Sequence, residues 1–131
     1  SQFAEMEQLM RNYPLDFVQL NYSLIERDAE QRLLPLATDK EIAVLVNRPF
    51  TRGKFFKTVQ AQPLPAWAPE LGCNSWAQLA LKFVISHPAA TCAIPGMTKT
   101  AHVDDNLQAG KGALLDPDQR EELAKEFATL V

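Results

Sequence analysis

The chain has 131 residues, a length that suits one domain or part of one, and 47% of them are apolar, ample material for a core. A net charge of −3 at pH 7 and a pI near 5.3 leave no basic footprint, so nucleic acid is not an expected partner. No apolar run approaches the ~18 residues of a membrane span, which leaves no membrane partner to expect.

No secretory signal is visible from Ser1 onward. Cys73 and Cys92 have no companion ligands, so two reduced thiols in a cytoplasmic protein, with no metal, is the expectation.

Phe3, Met6, Leu9 and Met10 recur at helical spacing, and Tyr13-Pro14 stops that helix. "DFVQLNY" (Asp16 to Tyr22) is a β-prone run and reads as a strand. "RDAEQRLLPLATDK" reads as a helix, but Pro35 does not fit deep inside one, so regular helix is expected from near Leu33 after a looser turn. "EIAVLVN" (Glu41 to Asn47) is a nearly all-apolar strand of the kind buried on both faces in parallel sheets.

From Arg48 to Asn74, Pro49, Gly53, Pro63, Pro65, Pro69 and Gly72 predict a long irregular stretch. Loops longer than ~15 residues are uncommon unless they serve a purpose or are disordered. Ser75 then caps a helix, with Gln78 completing a capping box. Trp76, Leu79, Ala80, Phe83 and Val84 form its apolar stripe before Pro88 ends it, and His87 is expected to interact with the helix dipole. "ATCAI" is a third short strand, followed by a helix of about Thr100 to Ala109 that Gly110 and Gly112 punctuate. Asp116 as N-cap, Pro117 at the first position and Gln119 at the third open a final helix with Leu123, Phe127 and Leu130 facing inward.

Strands alternating with helices at this spacing imply right-handed βαβ units and a parallel sheet. Within that order, "AIPGMTKTAHVDDN" (Ala93 to Asn106) is the most informative stretch. A strand-to-helix joint of this kind presents backbone N–H groups and a positive dipole end to a phosphate, or serves as an ordinary turn. "TRGK" (Thr51 to Lys54) lacks the glycine and strand context of a phosphate loop and is set aside.

Three blocks together carry a resemblance. "DFVQLNYSLIERDAEQRLLPLA", "IAVLVNRPFTRGKFF" and "AQLALKFVISHPAATCAIPGMTKTAHVDDNLQA" resemble, in order and spacing, the C-terminal half of aldo-keto reductases. That resemblance implies a partial (β/α)8 TIM barrel: about three C-terminal βα units with parallel strands over residues 3–110, plus an extra C-terminal helix over 113–131. It also implies NADP(H)-dependent reduction of aldehydes and ketones, with NADPH expected and NADH possible.

Carried over position by position, Gln19 matches a strand residue that hydrogen-bonds the nicotinamide carboxamide, a role that suits an amide. Asn47 falls where the family usually stacks an aromatic ring on the nicotinamide. Arg48, Pro49, Phe50 and the turn through Gly53 match the segment beside the pyrophosphate, and the long loop after it resembles one that folds over the cofactor. Ile94, Gly96, Met97, Thr98 and Lys99 match the joint that holds the adenosine 2′-phosphate. His102 stands where an Arg often grips that phosphate, and Asn106 and Asp105 match adenine-edge contacts. Taken alone, Gln19 on a strand and Lys99 and His102 on a helix surface need no function at all.

The family's Tyr acid and its Lys, Asp and His partners belong to the first four βα units, and a Ser-Asn pair belongs to the fifth. Tyr13, Tyr22, Lys40 and His87 do not sit at matching positions. The resemblance therefore implies a cofactor-binding half with no catalytic residues, inactive alone and binding the cofactor weakly or not at all. Its uncovered strands imply self-association or a complementing barrel half. The alternative is a non-catalytic α/β interaction or oligomerisation module.

Overall fold

Val18 and Leu20 of the first strand point one way, Phe17 and Gln19 the other, and this alternation organises the molecule. The structure is a computed structural model and describes residues 2–131. Three parallel strands, β1 (Phe17–Asn21), β2 (Ala43–Asn47) and β3 (Cys92–Ala93), lie in the order β1-β2-β3. Val18 pairs with Val44, Leu20 with Val46, and Val46 with Ala93. That face is covered: Val44 and Val46 are both 0% exposed.

The same register groups Phe17, Gln19 and Asn21 with Ala43, Leu45, Asn47 and Cys92 on the opposite face. This face is open, with Phe17 61% exposed. The expectation that β2 is buried on both faces is therefore corrected to one. An apolar run suits either case, and only the neighbouring elements decide which face they cover.

Among the described residues six helices accompany the sheet: α1 (Gln2–Asn12), α2 (Leu33–Asp39), α3 (Lys54–Val59), α4 (Trp76–Ile85), α5 (Thr100–Gln108) and α6 (Pro117–Ala128). In α1, Met10 is buried but Leu9 is exposed, so the apolar stripe is narrower than its spacing suggests. Glu7 joins α1 to the start of α2 by accepting from Arg11 and Arg32, each at 2.9 Å. Regular helix begins at Leu33 after a 3-10 turn at Asp28–Glu30, which puts Pro35 in the first turn, where a missing N–H costs no helical bond.

The stretch after β2 is less irregular than its prolines predict. Residues 54–61 are free of proline, and α3 forms there, burying Phe55 and Val59 one helical turn apart. Short 3-10 turns at Thr51–Gly53 and Ala68–Leu71 flank it.

The two predicted caps differ. At α6 both halves of the capping box close: the Gln119 N–H donates to Asp116 Oδ1 at 2.8 Å, and the Asp116 N–H to Gln119 Oε1 at 3.0 Å. At α4 the Gln78 N–H donates to Ser75 Oγ at 3.1 Å, but Gln78 Oε1 accepts from the Asn74 N–H at 2.8 Å instead of closing the box.

α6 is fastened to the rest through Arg120. Its guanidinium lies 4.7 Å from the centre of the Phe83 ring and donates to Glu30 Oε1 at 2.8 Å and to the Tyr22 hydroxyl. Tyr22 is 0% exposed and donates to Glu30 Oε1 at 2.5 Å, while Arg27 donates to Glu30 Oε2 at 2.8 Å. Burial alone would raise the Glu30 pKa, but the hydrogen bonds from Arg27 and Tyr22 hold it below the usual carboxylate value.

His87 packs edge-on against Tyr22, and its Nδ1 accepts the Ala89 N–H at 3.1 Å. Burial first, then the Arg120 charge, lowers its pKa, so the ring is held neutral rather than charged toward the helix dipole as expected.

Both shifts act on stability with one sign. Each folded pKa lies below its unfolded value, so the unfolded chain binds more protons on acidification. The stabilisation is present above pH 6.5 and is lost as pH falls, first through His87 and then, below pH 4.5, through Glu30. Urea midpoints are expected to drop between pH 7.5 and 5.5, and His87→Gln should flatten that part of the profile while leaving the drop below pH 4.5. An unchanged slope in the variant would assign the effect elsewhere.

Candidate functional site

Ligands of open parallel α/β sheets bind beyond the carboxyl ends of the strands. At that end the joint after β3 faces the segment after β2 across a cleft of about 400 Å³. One wall is aromatic, formed by Phe50, Phe56 and Trp76. Phe50 and Phe56 stand 4.8 Å apart, Phe56 lies 5.4 Å from Phe55, and Phe55 lies 6.3 Å from Trp76, so the wall continues into the core. Gly96, Met97, His102 and Asn106 form the opposing wall, with Ser75, Ala77 and Asp105 between.

The second wall carries the free end of a helix. α5 starts after Lys99 with no side-chain cap and no acid in its first turn, so its dipole end is uncompensated. Asn106 is only 9% exposed, yet its side-chain amide bonds to none of the described residues and remains available to a ligand.

A second group of amides lies on the open sheet face. Register sets Asn21 beside Asn47, with Gln19 two residues back on the same face. Asn47 Oδ1 is buried without a hydrogen-bond partner. An acceptor left so costs about 1–3 kcal/mol unless a donor is supplied.

The turn between these two groups is strained. Arg48, Thr51 and Arg52 have φ of 51°, 47° and 53°, in the left-handed region where only Gly53, at 82°, is at ease. Each such residue costs on the order of 1–3 kcal/mol and persists where the surroundings demand it. The result is to deliver Phe50 to the cleft, with Pro49 buried behind it.

Of the residues predicted from sequence, the cleft gathers Phe50, Gly96, Met97, His102, Asp105 and Asn106. Gln19 and Asn47 lie on the open sheet face. Arg48, Pro49 and Gly53 shape the turn and do not line the cleft, nor do Ile94, Thr98 and Lys99, of which Thr98 and Lys99 are exposed beside Met97. Asp105 is already engaged: Oδ2 accepts from Ser75 Oγ at 2.8 Å and Oδ1 from Gln78 Nε2 at 2.7 Å.

Phe56, Trp76, Ser75 and Ala77 line the cleft without having been predicted to. The Phe55-Phe56 doublet was the available signal, since a helix that buries the first ring must turn the second toward another surface. The long loop is docked at several points. Trp76 Nε1 donates to the Gln62 carbonyl at 3.0 Å, Trp67 Nε1 to Glu126 at 3.5 Å, and Lys82 Nζ to the Leu71 carbonyl at 2.6 Å. Among the described residues no helix is long and apolar enough to cross a membrane.

The sequence matches the model of the Aldo/keto reductase family over residues 1–126, which carries the match past residue 110 and into α6. An aldo-keto reductase from Bacillus halodurans (apo form) superimposes with a TM-score of 0.70 at 19% identity, covering 94% of this chain and 47% of that one. An aldo/keto reductase from Klebsiella pneumoniae in complex with NADP and acetate gives 0.68 at 28% identity, covering 83% and 38%. Another from Klebsiella pneumoniae, in complex with NADPH, gives 0.70 at 22% identity, covering 94% and 44%. The chain thus spans less than half the length of these solved structures. Its three parallel strands and six helices are an α/β unit corresponding to part of their (β/α)8 barrel.

Proposed function

The chain belongs to the aldo/keto reductase family, and from that premise we propose that it is the C-terminal, cofactor-side portion of an NADP(H)-dependent oxidoreductase acting on aldehydes or ketones. In this reading residues 1–131 form one unit, with βα units over 3–110 and an added helix over 113–131. The observation that carries it is convergence. Phe50, chosen from sequence for the segment beside the pyrophosphate, and Gly96, Met97, His102 and Asn106, chosen for the 2′-phosphate and adenine, line a single cleft beside an uncapped helix N-terminus.

The residues present fit that group. The unpaired Asn47 Oδ1 suits a carboxamide N–H, and the Gln19 amide, on the same face, offers both a donor and an acceptor. No ring occupies the Asn47 position, so the family's stacking contact is replaced there by hydrogen bonding. The α5 dipole end and the Lys99 charge offset phosphate charge. Phe50, Phe56 and Trp76 shield an adenine face from water. When bound, the nicotinamide cofactor supplies the hydride.

The amides of Gly96 to His102 are expected to shift on titration with adenosine 2′,5′-bisphosphate. Affinity should be near millimolar, about 4 kcal/mol, because the nicotinamide contacts are not used. Lys99→Ala should weaken binding about two- to fivefold, the equivalent of one charge at a helix end. Shifts confined to other regions would remove the cleft from the reading.

The open sheet face favours a second reading, an α/β interaction module. β1 and β3 each leave one strand edge unpaired, and Phe17 and Cys92 are exposed between them. Covering that face calls for a second copy or a complementing barrel half. The two readings part on the titration, since a module that only binds protein leaves the Gly96–His102 amides unmoved.

A further inference from the structure

We infer that Asp105 is a positioning residue of the cleft and not a ligand contact: with Ser75 and Gln78 it fixes α5 against the start of α4 and so sets the gap between the cleft walls. This rests on the cofactor reading of the cleft for its functional meaning, but its structural content stands apart from it.

Each Asp105 oxygen is engaged within the protein. A carboxylate only accepts, and both Asp105 oxygens accept short bonds, from Ser75 Oγ at 2.8 Å and Gln78 Nε2 at 2.7 Å. The Ser75 hydroxyl spends its one donor on Asp105 and accepts the Gln78 N–H at 3.1 Å. Gln78, 4% exposed, spends its other end on the Asn74 N–H at 2.8 Å. The three side chains are thus linked to one another in a half-buried network, which ties α5 to the start of α4.

The network also joins the two walls. Trp76 follows Ser75 at the start of α4, while His102 and Asn106 flank Asp105 on α5. An incoming adenine amino group would have to share an Asp105 oxygen with Ser75 or Gln78. Asn106, buried and with a free amide, is the better adenine partner.

Three forms of the chain test this by amide NMR spectra: wild type, Asp105→Asn, and Asp105→Asn combined with Gln78→Glu. The single change replaces one acceptor by an N–H group, which must face either Gln78 Nε2, a donor, or Ser75 Oγ, whose hydroxyl must then turn away, so one bond of the strut is lost or reversed and the carboxylate charge is lost with it. The double change reverses that bond's direction, because the new carboxylate accepts from both the new amide and the Asn74 N–H. Without ligand, the single variant is expected to displace the Gly96–His102 amides, and the double variant to return them. With adenosine 2′,5′-bisphosphate as probe, the single variant should bind about three- to tenfold more weakly, the equivalent of one net hydrogen bond, and the double variant should recover.

Ligand-free amides that stay in place while binding is lost, or a double variant that restores neither, would make Asp105 a direct contact and overturn the inference. If wild type takes no bisphosphate, the cofactor reading falls, and the ligand-free spectra still decide the strut.

Discussion

Phe127→Ala is expected to lower the unfolding free energy by about 3–5 kcal/mol, a large share of the ~5–15 kcal/mol typical of a whole domain. Phe127 is 3% exposed and stacks on Phe55 with ring centres 5.5 Å apart and planes 14° from parallel. Phe55, itself 1% exposed, is the hub on which Phe50, Phe56 and Trp76 rest. α3 has six residues, too short to persist without tertiary packing. Truncating Phe127 therefore removes the surface that holds α3, and with it the aromatic wall of the cleft. Urea unfolding followed by Trp67 and Trp76 fluorescence measures the loss. Leu114→Ala, at a position 53% exposed, is the control and should stay within about 0.5 kcal/mol of wild type. A loss below about 1 kcal/mol at Phe127 would mean that α6 is not packed as described.

What the sequence discloses of this arrangement divides by range. The α6 capping box spans four consecutive residues, and the start of α2 follows from Pro35 alone, so both are legible locally. α3 is not, because the prolines and glycines around it outweigh a short proline-free window. The Gly96–Asn106 wall of the cleft is one contiguous motif and could be read directly. The opposing wall could not, because Trp76 sits at a helical spacing that serves a core stripe as well as a cleft. Asp105 shows the same limit: its partners Ser75 and Gln78 lie thirty and twenty-seven residues back, and a local pattern cannot tell an occupied carboxylate from a free one. That some strand surface is left uncovered follows from the resemblance to part of a barrel, but the strand pattern alone does not say which surface. Which face of β2 is covered depends on elements distant in sequence.

Purified alone, the chain is expected to leave NADPH unoxidised in the presence of an aldehyde, at no more than the buffer rate. Reduction of a carbonyl places charge on its oxygen, and a positioned proton donor is worth ~10²–10⁴ in rate. Around Gln19 and Asn47 the open face carries Phe17, Asn21, Ala43, Leu45 and Cys92: amides, apolar groups and one thiol. Tyr22 is next in sequence but 0% exposed, its hydroxyl donating to Glu30 and accepting from Arg120. Burial raises its pKa above the ordinary phenol value, which ties the proton more firmly to oxygen. His87 is held neutral against Tyr22, and His102 lines the cleft assigned to the adenosine end. In the proposed reading the acid comes from polypeptide that covers the open face. Adding a chain that carries the preceding barrel units should raise the rate ~10²-fold or more above the background. Phe17→Glu should cancel that gain, because closing the barrel would bury an unpaired carboxylate. Turnover by the 131-residue chain alone that disappears with Tyr22→Phe would place the acid within it and defeat the proposal.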